Sequence, residues 1–436
     1  MRTLNYLGSK LRLLDFIEGN VLEVAARGSG VCDLFAGSGC VSYRLSQSFE
    51  VTSCDIQHYS KVICEALLGG CSISETEAAQ ILHYAEGEGS RPLMNAFRPL
   101  IELEDDAIAS RNLETLAAIL EHGSVEVFVI EDSDSPLSAV QQEVVARLRA
   151  DGLTGERSLI SRHYGGIYFS YRQAVQIDAL LEAVSRVSAP SGRSLLLAAL
   201  LSTASDIADT VGKHFAQPIK ARDSEGNIKP IVYNKAVRDK LAEVFPLYSE
   251  WLGRYRRLER SSRPYSVLQG DYMDCLRSLG PEVKTIYADP PYTRDHYSRF
   301  YHVLETMTLR DTPQLSTTTI GGRTRISNGV YRADRHQSPF CIKSKAPGAF
   351  RQMFDYASAT GRSLLLSYSP YDETKPTHPR VVTMQQLLDW AGERYELVRT
   401  VSAGEFRHNK LNSSAHLLDA SDEAELLIVC TNPTKR

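Results

Sequence analysis

Long apolar runs are missing from this 436-residue chain. The best candidate, Leu195–Leu201, falls far short of the roughly 20 residues needed to cross a bilayer, which argues against a helical membrane protein. The first residues are polar and show no signal-peptide pattern, so the expectation is a cytoplasmic protein. Cysteine pairs are missing too. Cys32, Cys40, Cys54, Cys64, Cys71, Cys275, Cys341 and Cys430 form no Cys-x-x-Cys spacing, and most sit in apolar runs. They read as buried free thiols rather than zinc ligands or disulfides, and no metal site is expected. An overall basic charge is absent as well: the formal net charge is -4. A strongly basic total would have pointed to nucleic acid by itself.

The distribution of charge says more than the total. Arg91–Glu156 holds 13 acidic and 5 basic residues, whereas Arg294–Arg351 holds 10 basic and 4 acidic. A second basic cluster comprises Arg254, Arg256, Arg257, Arg260 and Arg263. Hydrophobic residues make up 43% of the chain and charged residues 23%, the balance of an ordinary globular protein. The length allows a catalytic domain plus a second lobe.

Strand and helix patterns alternate at the start. Val31–Phe35 reads as a strand ending in Gly-x-Gly, followed by a helix to about Ser46. Val51–Cys54 reads as the next strand, and Tyr59–Leu68 as a helix stopped by Gly69-Gly70. This order predicts parallel pairing in a Rossmann-like α/β sheet. The rhythm then breaks. Helical periodicity covers Ala174–Val187, Ser194–Ala208 and Ala236–Arg260, with a loop signal at Ala189-Pro190-Ser191-Gly192. Strands return at Ser266–Gln269, Val283–Ala288, Ser363–Ser367, Tyr395–Val401 and Glu425–Cys430. One sheet interrupted by a large, mainly helical insertion accounts for this. Residues 1–70 and 263–436 would form the sheet domain and 71–262 the insertion.

Four short motifs fall at strand ends. Asp33-Leu34-Phe35-Ala36-Gly37-Ser38-Gly39 gives a strand-to-helix turn whose glycines let backbone approach a ligand. Ser42 stands where a dinucleotide fingerprint needs its third glycine, which argues for a nucleoside other than NAD. Asp55 ends the next strand, where a carboxylate can accept both ribose hydroxyls. Gly270-Asp271-Tyr272 offers an acid and an aromatic ring to an adenine. Asp289-Pro290-Pro291-Tyr292 follows an apolar strand and is the most specific of the four. Its prolines stiffen the turn and bring no N–H, so the turn presents acceptors and an aromatic face to an aromatic amine.

With these motifs in place, the chain resembles the Dam-like, α-class family of DNA adenine-N6 methyltransferases of restriction–modification type. Asn5-Tyr6-Leu7-Gly8-Ser9-Lys10 resembles the family's N-terminal cofactor motif, Asp33–Gly39 its central cofactor motif, and Asp55 its acidic ribose position. Gly270-Asp271-Tyr272 resembles the adenine position, and Asp289–Tyr292 the catalytic motif. Tyr164–Ser170 with Gln176-Ile177-Asp178 bears a looser likeness to longer restriction–modification methyltransferases. The resemblance implies a class I methyltransferase sheet with a target-recognition insertion and S-adenosylmethionine as cofactor. It implies Tyr6, Gly8, Ser9, Lys10, Asp33, Phe35, Gly37, Gly39, Asp55, Asp271 and Tyr272 as cofactor residues. Asp289, Pro290, Pro291 and Tyr292 are the implied catalytic residues. Double-stranded DNA is the implied partner, the sequence leaves open whether a cognate restriction endonuclease accompanies the chain or it acts alone, and the expected state is a monomer.

The chemistry fits these residues. The lone pair of an adenine amine is delocalised into the ring, so acceptors on its two N–H groups must draw it back onto nitrogen. Asp289 and the Pro290 carbonyl are such acceptors, and Tyr292 can stack on the base. A base inside a duplex must first flip out. Arg294, His296, Arg299, His302, Arg323, Arg325, Arg332 and Arg335, with Tyr297, Tyr301 and Tyr331 among them, read together as a DNA-facing segment. Lys213, His214, Lys220, Arg222, Lys229, Lys235 and Arg238 around Asp223–Asn227 read equally as base contacts or as a solvated loop. No Pro-Cys pair occurs, which argues against methylation of a cytosine carbon. No lysine occurs between Lys61 and Lys213, so the insertion lacks the usual metal-dependent nuclease cluster. A cytosine-N4 methyltransferase and a non-catalytic DNA-binding regulator remain as alternatives.

Overall fold

The computed structural model describes residues 2–6, 8–70, 73–132, 134–210, 212–294, 296–369, 380–403 and 425–434. Leu7 of the N-terminal motif and Cys71 lie outside them. The chain folds as two compact units: Met1–Gly70, Glu259–Ser298 and His336–Arg436 form the first, and Cys71–Leu258 with Arg299–Arg335 the second.

The first unit is built on a seven-stranded, mainly parallel sheet. Its strands are β1 (Gly30–Asp33), β2 (Glu50–Asp55), β3 (Tyr265–Gln269), β4 (Val283–Ala288), β5 (Ser363–Tyr368), β6 (Tyr395–Ser402) and β7 (Leu426–Pro433). Their order across the sheet is β3-β2-β1-β4-β5-β7-β6. All neighbours run parallel except β7, which is antiparallel to both β5 and β6. Chain order reverses between β1 and β4, and such a switch point opens a crevice at the carboxyl ends of the strands.

Both faces of the sheet are buried, and the alternation of side chains shows it. Val31, Tyr287, Leu365, Leu427 and Val429 join one core with Ile17 and Val21 of α1 (Leu14–Val24) and Val41 and Leu45 of α2 (Cys40–Ser46). Cys32, Ile286, Leu364, Leu366 and Ile428 point the other way. They pack with Phe350 and Met353 of the helix Ala346–Ala359 and Leu387 and Trp390 of the helix Met384–Gly392. The helix α3 (His58–Leu68) follows β2.

Among the described residues, the second unit is helical apart from one antiparallel hairpin, Thr317–Ile320 with Arg323–Ile326, and isolated bridges. The continuous helix expected over Ala236–Arg260 is broken. A wide turn, Ala236–Lys240, precedes a helix over Val244–Arg256. Gln173 stabilises the break by donating to the carbonyls of Asp239 (2.8 Å) and Ala242 (2.9 Å). The expected loop at Ala189–Gly192 is instead a helix start, with Pro190 in the first helical position, where its missing N–H costs nothing. Residues 299–335, read from sequence as part of the sheet domain, pack with the second unit. The Tyr168 hydroxyl donates to the Gly329 carbonyl (3.0 Å), the Phe215 amide donates to the Phe300 carbonyl (2.9 Å), and His302 is buried against Tyr164 and Tyr168.

Candidate active site

A cleft enclosing about 900 Å3, its open mouth included, lies where β1, β2, β3 and β4 end. Leu34 and Phe35 line it from β1, Asp55 and Gln57 from β2, Asp271 and Tyr272 from β3, and Asp289–Tyr292 from β4. The strand expected to reach Phe35 stops at Asp33, so Leu34 and Phe35 leave the sheet and become cleft wall. Tyr6, Gly8 and Lys10 complete the lining from the N-terminal segment.

The turn after β1 needs both of its glycines. Gly37 has φ +51°, and a Cβ there would lie 2.5 Å from the Tyr6 hydroxyl oxygen. Gly39 has φ +71°, and its Cβ would lie 2.7 Å from Leu67 Cδ1 on α3. Left-handed backbone and lack of room both select glycine. The Gly37 N–H is turned to Asp55 and donates to Oδ2 at 2.8 Å, while the Gln57 N–H donates to Oδ1 at 2.8 Å. Two backbone donors thus fix the carboxylate in the cleft.

The wall beside Asp55 is aromatic. Phe35 meets Phe340 edge-on at 5.3 Å and lies 6.4 Å from Tyr272, which in turn meets Phe340 at 4.9 Å. The Tyr272 hydroxyl donates to Gln352 Oε1 at 3.0 Å. Asp271 caps the following helix, accepting the Met273 N–H at 3.0 Å, while still lining the cleft.

Asp289 sits over a buried ionic group. Lys10 Nζ is 3.1 Å from Asp289 Oδ1 and 2.9 Å from Glu425 Oε1. The Lys10 and Glu425 side chains are 5% and 2% exposed, and that of Asp289 is 21% exposed. The Ser367 hydroxyl donates to Glu425 from β5. Burial works against the lysine charge, but the carboxylates of Asp289 and then Glu425 outweigh it and hold Lys10 well above its usual range. Burial pushes Asp289 up to about 6, against the pull of Lys10 and with the help of Glu425. Tyr292 is bracketed: Tyr368 lies 5.1 Å from its ring, the Arg380 guanidinium 4.7 Å and Lys10 Nζ 5.8 Å. Arg380 is itself tied to Ser369 by bonds of 2.8 and 3.0 Å.

Residues 6–86 match the family model of the D12 class N6 adenine-specific DNA methyltransferases. Along most of its length the chain is 24% identical to the modification methylase LlaI of Lactococcus lactis subsp. lactis, covering 98% of this chain and 54% of that protein. It is 23% identical to the type II methyltransferase M.NlaIII of Neisseria lactamica, covering 95% of this chain and 98% of that protein. It is 24% identical to the type II methyltransferase M.FokI of Planomicrobium okeanokoites, covering 84% of this chain and 44% of that protein. The chain is similar to the D12 class of N6 adenine-specific DNA methyltransferases over residues 6–86. It spans about half the length of two of these relatives and nearly all of the third.

Four residues expected at the cofactor do not line the cleft. Asp33 is buried and accepts the Ser42 hydroxyl at 2.6 Å, tying β1 to α2. Burial pushes its carboxyl up to about 7. Gly37 and Gly39 shape the turn from behind, and Ser9 is exposed, with its N–H donating to the Tyr6 carbonyl at 3.3 Å. Sequence reasoning missed Glu425, reading it only as the start of a strand. The available signal was the last acid of a stretch with Asp422 and Glu423, directly abutting Leu426–Val429, a run too apolar to leave a charge unpartnered. Gln57, Tyr297, His336 and Phe340 also line the cleft without having been singled out for the cofactor.

Proposed function

We propose that this chain is a site-specific DNA methyltransferase that moves a methyl group from S-adenosylmethionine to the N6 amine of an adenine flipped out of duplex DNA. The observation that carries the reading is one carboxylate, Asp289, held in a proline turn by a buried lysine and sharing a cleft with a second, amide-fixed carboxylate, Asp55. The sheet order, with its single antiparallel strand β7, supports a class I methyltransferase sheet.

The residues of the cleft suit the cofactor. Asp55, braced by two backbone amides, presents its carboxylate to the cleft as an acceptor suited to a ribose diol. Phe35, Tyr272 and Phe340 offer apolar surface to an adenine, and Asp271 an acceptor for its amine. Tyr6 and Gly8 close the same cleft. Asp33, Gly37 and Gly39 serve at one remove by fixing the turn, and Ser9 by its backbone. When bound, S-adenosylmethionine supplies an electrophilic methyl group on a sulfonium.

Asp289 and the Pro290 carbonyl would accept the two N–H groups of the target amine, localising its lone pair on nitrogen. Lys10 keeps Asp289 ionised and aimed, and Glu425 keeps Lys10 in place. Pro291 stiffens the turn and Tyr292, immobilised by Tyr368 and Arg380, offers its ring to the flipped base. Once the amine carries the methyl group it is a strong acid, and Asp289 can take its proton.

In this reading the first unit binds the cofactor and performs the transfer, and the second recognises the target. The chain acts as a cytoplasmic monomer alongside a cognate restriction endonuclease, a role that the type II names of its relatives support. Incubation of the protein with methyl-labelled S-adenosylmethionine and mixed-sequence duplex DNA, followed by nucleoside analysis, tests the reading. Label in N6-methyldeoxyadenosine is expected; label in N4-methyldeoxycytidine, or none in DNA, overturns it.

A further inference from the structure

The segment 299–335 is rich in arginine, and its arginines are not equivalent. Arg332 is 3% exposed and spent: it reaches both oxygens of Asp311, at 2.5 and 2.7 Å, and Asp334 at 2.9 Å. Arg310 lies 4.0 Å from Glu156. Arg299 and Arg335 differ, because among the described residues neither has a carboxylate within ion-pair distance. Both sit instead on one ring, that of Tyr331, at 5.4 and 4.9 Å from its centroid.

That ring is held rigidly. Its hydroxyl donates to the Ala216 carbonyl, its edge meets the buried His302 at 5.0 Å, and Gly329 leaves the room that any side chain would take from it. Arg335 is further fixed by donating from Nε to the Arg332 carbonyl at 2.6 Å. The two guanidiniums oppose each other: burial and then the charge of Arg299 lower the pKa of Arg335. Burial and these same arginines push His302 down to about 3, so His302 adds no charge. Two like charges on a fixed aromatic platform, with no carboxylate in ion-pair contact among the described residues, make a site that an external anion would relieve. A guanidinium matches the oxygens of a phosphate in pairs.

We propose that Arg299 and Arg335, carried on Tyr331, clamp a backbone phosphodiester of duplex DNA. The clamp rests on the reading of the chain as a DNA methyltransferase, and it separates these two arginines from the spent Arg332. Contacts of this kind set register on the duplex and carry no sequence information.

The test measures binding of the full chain to a short fluorescein-labelled duplex across a salt series. Each neutralised phosphate contact contributes about 0.9 to the slope of log K against log salt. The double variant, Arg299→Gln with Arg335→Gln, should reduce that slope by about 0.9, the share of the one phosphate the clamp holds, and each single variant by part of that amount, equally for any sequence, with S-adenosylmethionine affinity unchanged. Arg299→Lys with Arg335→Lys keeps both charges and should keep the wild-type slope, which separates charge from folding if the glutamine variants melt early. A wild-type slope in the folded double glutamine variant overturns the clamp and leaves the methyltransferase reading standing. Absence of salt-dependent duplex binding by the wild-type protein overturns both.

Discussion

Replacing Lys10 with methionine removes one cation from between two carboxylates, and the structure sets the scale of the result. Lys10 Nζ lies 3.1 Å from Asp289 and 2.9 Å from Glu425, and the Lys10 and Glu425 side chains are nearly inaccessible. Breaking a buried pair from one side costs about 3–5 kcal/mol, because the remaining charge keeps its desolvation penalty. For a unit of this size each kcal/mol moves the melting temperature by about 2–4 °C, so a fall on the order of 10 °C is expected. The effect on chemistry has a definite sign. Asp289 already stands raised to about 6 with Lys10 present, and Lys10 is the group that lowers it. An acceptor carboxylate works only when ionised, so wild-type kcat/KM should level off well above pH 6 and fall as pH drops through about 6. In Lys10→Met that limb moves to higher pH, and activity at neutral pH falls on the order of 100-fold or more. Adding Glu425→Gln removes the excess anion and should restore part of the stability and return the limb toward acid pH. The assay is a pH series of methyl transfer alongside thermal melting of the same samples. An unmoved acid limb together with an unmoved melting temperature would refute the argument.

Three further substitutions probe separate parts of the site. Asp55→Ala should weaken S-adenosylmethionine binding by roughly 10- to 100-fold in a calorimetric titration while duplex affinity holds; unchanged cofactor affinity rules out the ribose role. Gly37→Ala places a Cβ 2.5 Å from the Tyr6 hydroxyl oxygen at a positive φ. It should lower both stability and cofactor affinity, and Tyr6→Ala in the same chain should restore room for the new methyl group but not the strain at φ +51°. Arg332→Gln should destabilise the protein by about 1–3 kcal/mol in urea unfolding without altering the salt slope of DNA binding, since its guanidinium is committed to Asp311 and Asp334.

What could be read from sequence was short in range. The turns after β1 and β4 announce themselves because a few adjacent residues dictate the local geometry: glycines where φ is positive, and prolines where no N–H is wanted. Asp55 and Asp271 were legible as acids at strand ends. The Lys10–Glu425 pair was not, because 415 residues separate its members and Glu425 takes its place through the pairing of β7 with β5. Asp33 stands inside a cofactor motif yet faces Ser42, a matter of which side of the sheet it takes. The broken helix at Ala236–Lys240 escaped detection because its cause, Gln173, lies on a different helix. The hairpin Thr317–Ile326 was hidden by its polarity, since Thr317–Thr319 and Arg323–Arg325 are exposed and show no alternation of apolar and polar residues. Residues 299–335 follow the Asp289–Tyr292 turn in sequence, but hydrogen bonds from Tyr168 and Phe215 draw them to the second unit.

The most direct measurement is expression of the wild-type chain and of Asp289→Ala in a bacterial host free of DNA methylation, followed by modification-sensitive single-molecule sequencing of the host genome. The account predicts N6-methyladenine at one recurring motif with the wild-type chain, and none with Asp289→Ala although that variant still binds S-adenosylmethionine. Methylated cytosine at a motif, or methyladenine that persists in Asp289→Ala, would contradict it.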